Sequence, residues 1–146
     1  MQDRYLFRGK RIDNGEWVHG YLFDDGFENG RVFIGGIVIE KYNGTACDDW
    51  NVTGINFYEI DPNTICQCTG LKDKNGKLIW ENDIVMTVYD GNEHIYQVVW
   101  DESELDFKAT NGKENYESNF EYLPCCDEIE ILGNCFDNPE LLEVHE

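Results

Sequence analysis

Apolar and polar residues alternate with a period of two along most of the chain, and glycine beside Asn or Asp interrupts the alternation at short intervals. That pattern puts side chains on the two faces of strands and turns the backbone sharply between them, so it predicts strands and hairpins over helices. Tyr5-Leu6-Phe7 opens a first strand, and Asn14-Gly15 turns the chain into a second over Trp17–Phe23. There Trp17, His19 and Tyr21 share one face, while Val18, Leu22 and the gap at Gly20 share the other. Residues 24–30 read as a turn, and the β-branched run from Arg31 to Glu40 as a further strand. Gly35-Gly36 inside it marks a bulge or a close approach of neighbouring backbone. Between Lys41 and Gly54 the alternation breaks down, and this stretch reads as a long, mobile or variable loop.

A strand is expected over Ile55–Ile60, with Pro62 as its boundary, followed by Ile65-Cys66-Gln67-Cys68. In the segment from Gln67 to Val85, Asn75-Gly76 is the favoured pair for a type I′ turn and sets Leu78–Trp80 against the residues before it. Asn82-Asp83-Ile84-Val85 leads into Met86–Tyr89, and Asp90-Gly91-Asn92 turns back into His94–Trp100, a succession that begins a small SH3-like barrel. Leu105–Thr110 and an Asn111-Gly112 turn follow, and the acidic stretch carrying Tyr116, Phe120, Tyr122 and Leu123 fits either strand or short helix. Glu128–Leu132 alternates as a strand that Gly133 and Asn134 break. Asn138-Pro139-Glu140-Leu141-Leu142 then reads as the N-cap, proline and first turn of a short C-terminal helix.

The fold class expected is therefore mainly β, with an N-terminal β-hairpin and sheet region packed on a small SH3-like barrel. A length of 146 residues suits one domain over 1–146, with sub-lobes at 1–62 and 63–146. Its 41% hydrophobic and 14% aromatic content supports a folded core despite a net charge of −19. The acidity is uneven: residues 1–20 carry +1 and residues 101–146 carry −12. Such a field repels phosphate backbones and anionic membranes and attracts a basic partner. The first ten residues lack the basic-then-apolar pattern of a secretion signal, and no apolar run reaches the roughly 20 residues that span a bilayer. A cytoplasmic address follows as the expectation, with the six cysteines as free thiols.

Three blocks of the chain resemble the YopX family of small proteins encoded by phages and prophages, chiefly in low-GC Gram-positive bacteria. They are Tyr5-Leu6-Phe7-Arg8-Gly9-Lys10 with Gly15–Leu22, the specific central block Gln67–Val85, and Ile129–Asn134 with Asp137–Leu142. Cys68 stands where the family commonly has an aromatic residue, and Asn82 where a glycine commonly precedes Asp83. The resemblance implies a phage-type origin, a mainly β fold and a cytoplasmic address, and it implies no particular activity.

The residues themselves offer little chemistry. Cys47, Cys66, Cys68, Cys125, Cys126 and Cys135 with His19 and His94 are enough ligands for zinc, yet Cys66-x-Cys68 lies on a strand and Cys125-Cys126 is vicinal, unlike the spaced knuckles of structural zinc sites. Neither His19, His94 nor the terminal His145 is placed as a base for a nucleophile, and no Gly-x-Ser-x-Gly, phosphate loop or His-Glu-x-x-His occurs. Asp83, at a strand entry, reads as a cap for turn amides. No catalytic, cofactor or metal residue is therefore assigned. The reading is a non-enzymatic accessory protein of a phage or prophage that acts as a protein-interaction module, in a sharper form an acidic imitation of nucleic acid that occupies a basic surface of a host or phage protein. The alternatives are a nucleic-acid-binding module using Arg4, Arg8, Lys10 and Arg11 with Lys72, Lys74 and Lys77, or a hydrolase of unrecognised type. Exposed strand edges also offer a route to homo-oligomers.

Overall fold

Alternation is translated into strands throughout: among the described residues the chain forms eleven strands and one four-residue helix. The structure, a computed structural model, describes residues 3–28, 30–42, 49–111 and 120–143. Two compact units divide it, Tyr5–Ile65, and Met1–Arg4 together with Cys66–Glu146.

In the first unit β1 (Phe7–Lys10), β2 (Trp17–Asp24), β3 (Val32–Tyr42) and β4 (Asp49–Ile60) are antiparallel neighbours in the order β4-β3-β2-β1. The expected hairpin forms at Asn14-Gly15: Gly15 takes a φ of +71°, the Asn14 carbonyl side-chain oxygen accepts from the Glu16 amide at 2.9 Å, and Arg11 and Glu16 close the turn. A bridge between Arg11 and Ile60 brings the end of β1 back to the end of β4. Ile34 and Ile60, both fully buried, form the centre of this unit. Gly9 packs so tightly on them that a Cβ there would overlap the Ile60 methyl.

The second unit holds the hairpin β5 (Cys66–Lys72) and β6 (Leu78–Trp80), and a meander in the order β10-β9-β8-β7-β11. Its strands are β7 (Asp83–Tyr89), β8 (Asn92–Asp101), β9 (Asp106–Thr110), β10 (Phe120–Tyr122) and β11 (Glu128–Asn134), and the helix α1 spans Glu140–Glu143. Ile79, Val85, Val98, Ala109 and Leu123 form the core, with Tyr96, Phe107, Ile129 and Ile131 packed on it. The order has two edges, β10 and β11, and the SH3-like closure expected from sequence is not among the pairings of these strands.

Several local expectations are corrected. Tyr5 belongs to a 3-10 turn, Asp3–Tyr5, and the first strand begins at Phe7. The stretch from Lys41 to Gly54 is not a long loop. Lys41 and Tyr42 finish β3, and Asp49–Gly54 begin β4, their pairing carried across a bulge at Val38/Ile39; residues 43–48 lie outside the described residues. The Asn75-Gly76 turn is not type I′, because Gly76 has a φ of +82° while Asn75 stays in the ordinary region. Asp73 imposes the alternative, its carboxylate accepting from the amides of Asn75 and Lys77 at 2.9 Å each. Asp90-Gly91 supplies the pair of positive φ values instead, +50° and +79°. Gly133 and Asn134 do not break β11: after a bulge between Ile131 and Gly133 they pair with Ile84 and Asp83, and the strand ends at Asn134. Asn138 caps no helix amide with its side chain; its Oδ1 accepts from Asn134. Tyr116 and the turn position Gly112 lie outside the described residues.

Candidate interaction surface

Residues opposite one another in an antiparallel ladder share a face. In the first unit the ladder sets Tyr21 beside Gly35 and Phe57, Phe23 beside Phe33 and Glu59, and Ile37 beside Ile55. This face is the outer one, since Ile34 and Ile60 lie on the alternate positions. Tyr21 and Phe57 are each 37% exposed, Phe23 45%, Ile37 56% and Ile55 65%. Single exposed apolar side chains are ordinary, but a run of them across three strands is a candidate contact surface. The rings of Phe23 and Phe57 meet edge to face at 4.8 Å, which holds the centre of the patch in one shape.

β2 changes partner along its length. Over Trp17–Gly20 it is laddered to β1, and over Tyr21–Asp24 to β3. The two strands fork beyond that handover, and a cleft of about 480 Å³ opens between them, lined by Trp17, His19, Gly36, Ile37, Asn56 and Tyr58 among others. Its rim is cationic: the Arg8 guanidinium lies 4.8 Å and the Lys10 ammonium 5.4 Å from the Trp17 ring centre, and Arg11 lies 4.2 Å from that of Tyr58. Arg11 also forms a 2.6 Å ion pair with Asp13, and that hydrogen bond holds the Asp13 carboxyl below the usual carboxylate range.

Reactive groups of the second unit are mostly committed to structure. Asp83, 2% exposed, caps the hairpin end by accepting from the Trp80 amide at 2.8 Å, the role its position predicts. Lys74 reaches Glu130 at 3.2 Å and Glu128 at 4.0 Å. His94 Nδ1 and Cys126 Sγ share one carboxylate, that of Glu121, at 3.0 and 3.3 Å. The grouping looks like a nucleophile and base, but burial, reinforced by the hydrogen bond to Glu121, pushes the Cys126 thiol up to about 12. A thiol so seldom ionised near neutral pH is a poor nucleophile. Alkylation with iodoacetamide at pH 8, followed by mass mapping, should therefore label the exposed Cys125 well before Cys126. Cys66 and Cys68 are buried on β5; Cys47 and His145 lie outside the described residues. Among the described residues no three His, Cys, Asp or Glu side chains gather as metal ligands, and no helix is long and apolar enough to cross a membrane.

One cluster was not anticipated. Lys108, 2% exposed, bonds Asp101 at 2.6 Å and Glu104 at 3.1 Å, with its ammonium 4.4 Å from the Phe120 ring centre. Burial would push this ammonium's pKa down, but the hydrogen bonds to the two carboxylates outweigh it and hold the pKa above its ordinary value. Lys108 sits between Phe107 and Ala109 in β9, so alternation alone put it on the face away from the core and gave no sign that Tyr122 and Phe120 would cover it. Close by, a cleft of about 450 Å³ is walled by Leu71, Trp100, Leu105, Phe107 and Pro124 and includes Asp106. Burial raises the Asp106 pKa, and its Oδ1 is buried without a hydrogen-bond partner.

The model of the YopX protein family matches residues 6–143. The chain belongs to the YopX family. Among solved structures, this YopX protein is similar to the crystal structure of protein EF1440 from Enterococcus faecalis, at 18% identity and a TM-score of 0.47 over 93% of this chain and 96% of that one. No curated protein matches it.

Proposed function

We propose that this protein is a phage- or prophage-type accessory protein that works as a non-enzymatic protein-interaction module. The observation that carries this reading is the outer face of β2, β3 and β4, where Tyr21, Phe23, Ile37, Ile55 and Phe57 are all exposed together. Covering such a patch with a partner's apolar surface is favourable at roughly 25 cal/mol per Å² buried, before the costs of association. The net charge of −19 favours a protein over a polyanion as occupant. The stacking of Arg8, Lys10 and Arg11 on Trp17 and Tyr58 favours a second reading, single-stranded nucleic acid.

The test compares the full chain with a Phe23→Thr/Ile55→Thr variant as bait in a bacterial lysate, with and without nuclease treatment. Both side chains are exposed and threonine suits strands, so the variant should fold unchanged. A defined protein retained by the wild type and reduced about tenfold or more by the variant is the expected result. Equal capture by both chains would refute the reading, and retention of nucleic acid that falls steeply with salt would replace it by the second.

A further inference from the structure

We propose that the fork between β2 and β3 receives an extended segment of a partner protein as an added strand, with an apolar side chain in the cleft and a neighbouring Asp or Glu facing Arg8 and Lys10. The inference rests on the interaction reading above and names the element recognised.

The first support is backbone geometry. β3 is eleven residues long and is laddered to β4 along its whole length, but its ladder to β2 covers only Val32–Gly35. Among the described residues the β2-facing edge of β3 carries no ladder past Gly35. A strand edge of that kind is a template for another backbone, and the 480 Å³ cleft beside it supplies the room.

The second support is a glycine that the protein does not itself require. At Gly35 a Cβ would overlap the Asn56 carbonyl oxygen, and at Gly20 it would come within 2.8 Å of the Gly35 carbonyl oxygen, so close packing explains both. At Gly36 a Cβ would meet nothing nearer than the Tyr21 ring at 3.8 Å, and the backbone angle is one any residue adopts. Neither conformation nor internal packing calls for glycine there. Position 36 lines the cleft, and an absent side chain lets a second backbone approach.

The third support is chemical. Trp17, Ile37 and Tyr58 give the cleft an apolar lining, while Arg8 and Lys10 against Trp17 make one rim positive in a molecule of net charge −19. An apolar side chain beside a carboxylate is complementary to that pairing.

The test selects a displayed library of random linear peptides on the full chain and follows a synthetic copy of the enriched sequence. Enriched peptides should share an apolar residue next to Asp or Glu, and the bound peptide should slow exchange of the fork-facing amides of β3 from Ile37 onward, which share an edge with Gly35. Gly36→Val, which fills the approach while suiting a strand, should weaken binding about tenfold or more at an unchanged unfolding midpoint. Should that variant fail to fold, the exchange map of the wild type decides. Enrichment without this pattern, protection confined elsewhere, or equal binding to Gly36→Val would overturn the proposal. So would protection of the same amides by oligothymidylate or by a second copy of the chain in place of the peptide. Phe23→Thr/Ile55→Thr separates the two readings: it should leave peptide binding intact, and if it alone abolishes partner capture while Gly36→Val has no effect, the interaction reading stands and the fork falls.

Discussion

Gly35→Ala is expected to destabilise the Tyr5–Ile65 unit by about 3 kcal/mol or more, whereas Gly36→Ala, one residue on, should be neutral or mildly stabilising. At Gly35 the new methyl would overlap the Asn56 carbonyl oxygen and stand 2.8 Å from the Phe57 Cα. Both obstacles are backbone, so no rotamer change relieves the clash. The strands β3 and β4 would have to part, and their ladder of opposed pairs is what holds the outer face together. At Gly36 the methyl meets the Tyr21 ring at an ordinary 3.8 Å. Alanine there restricts the unfolded chain without straining the folded one, a gain of about 0.4–1 kcal/mol where the site accepts it. Urea midpoints of the two variants and the wild type measure both effects. A Gly35→Ala protein as stable as the wild type would mean that β3 and β4 are not packed as closely as described, and a strongly destabilised Gly36→Ala protein would remove the argument that position 36 is kept open for a ligand.

The contrast between these neighbours also marks what the sequence shows and what it conceals. Gly35-Gly36 stands out as a break in a β-branched run, and a close approach of backbone is what Gly35 provides. Nothing in the letters separates it from Gly36, because the difference is the position of Asn56, which lies far along the chain. Turns governed by their own residues were legible: Asn14-Gly15 and Asp90-Gly91 need only permissive φ angles. The Asn75-Gly76 turn was misjudged because Asp73 competes for the same amides. The strand portions at Lys41–Tyr42 and Asp49–Gly54 were read as loop since polar residues and glycine obscure the alternation, while the ladder between β3 and β4 overrides local preference. Partner choice is also invisible to periodicity. Alternation places Trp17, His19 and Tyr21 on one face but does not say that β2 leaves β3 at Gly20, and the fork, the candidate site with the most to offer, depends on that departure. The outer face was half legible: the alternating aromatics of β2 were plain, but that they would stay exposed was not.

Asp73→Ala should cost about 3 kcal/mol or more at neutral pH, and Asp73→Asn distinctly less, because hydrogen bonds to a charged acceptor contribute about 1.5–3 kcal/mol each and do not add in full. The Asp73 side chain, 6% exposed, accepts from the amides of Asn75 and Lys77 with Oδ1 and from that of Ile131 with Oδ2, at 2.9, 2.9 and 3.1 Å. One carboxylate thus shapes the β5–β6 turn and ties it to β11, a contact between segments more than fifty residues apart. Alanine strands all three donors; asparagine retains one acceptor oxygen without its charge. Burial, the largest single influence, pushes the Asp73 pKa up, but the hydrogen bonds from Ile131, Lys77 and Asn75 together outweigh it and hold the pKa below its ordinary value. The sign of the pH dependence follows: with the folded pKa depressed, the stabilisation is complete above the unfolded value of about 3.9 and is lost as pH falls through the lower folded pKa. Urea midpoints of wild type and Asp73→Asn should therefore lie furthest apart at neutral pH and converge in acid. Because the other carboxylates titrate in both proteins, the difference between the curves isolates Asp73. A constant difference down to strongly acidic pH would show that the charge contributes nothing beyond the shape of the acceptor, and a cost near zero for Asp73→Ala would show that the β5–β6 turn holds to β11 without it.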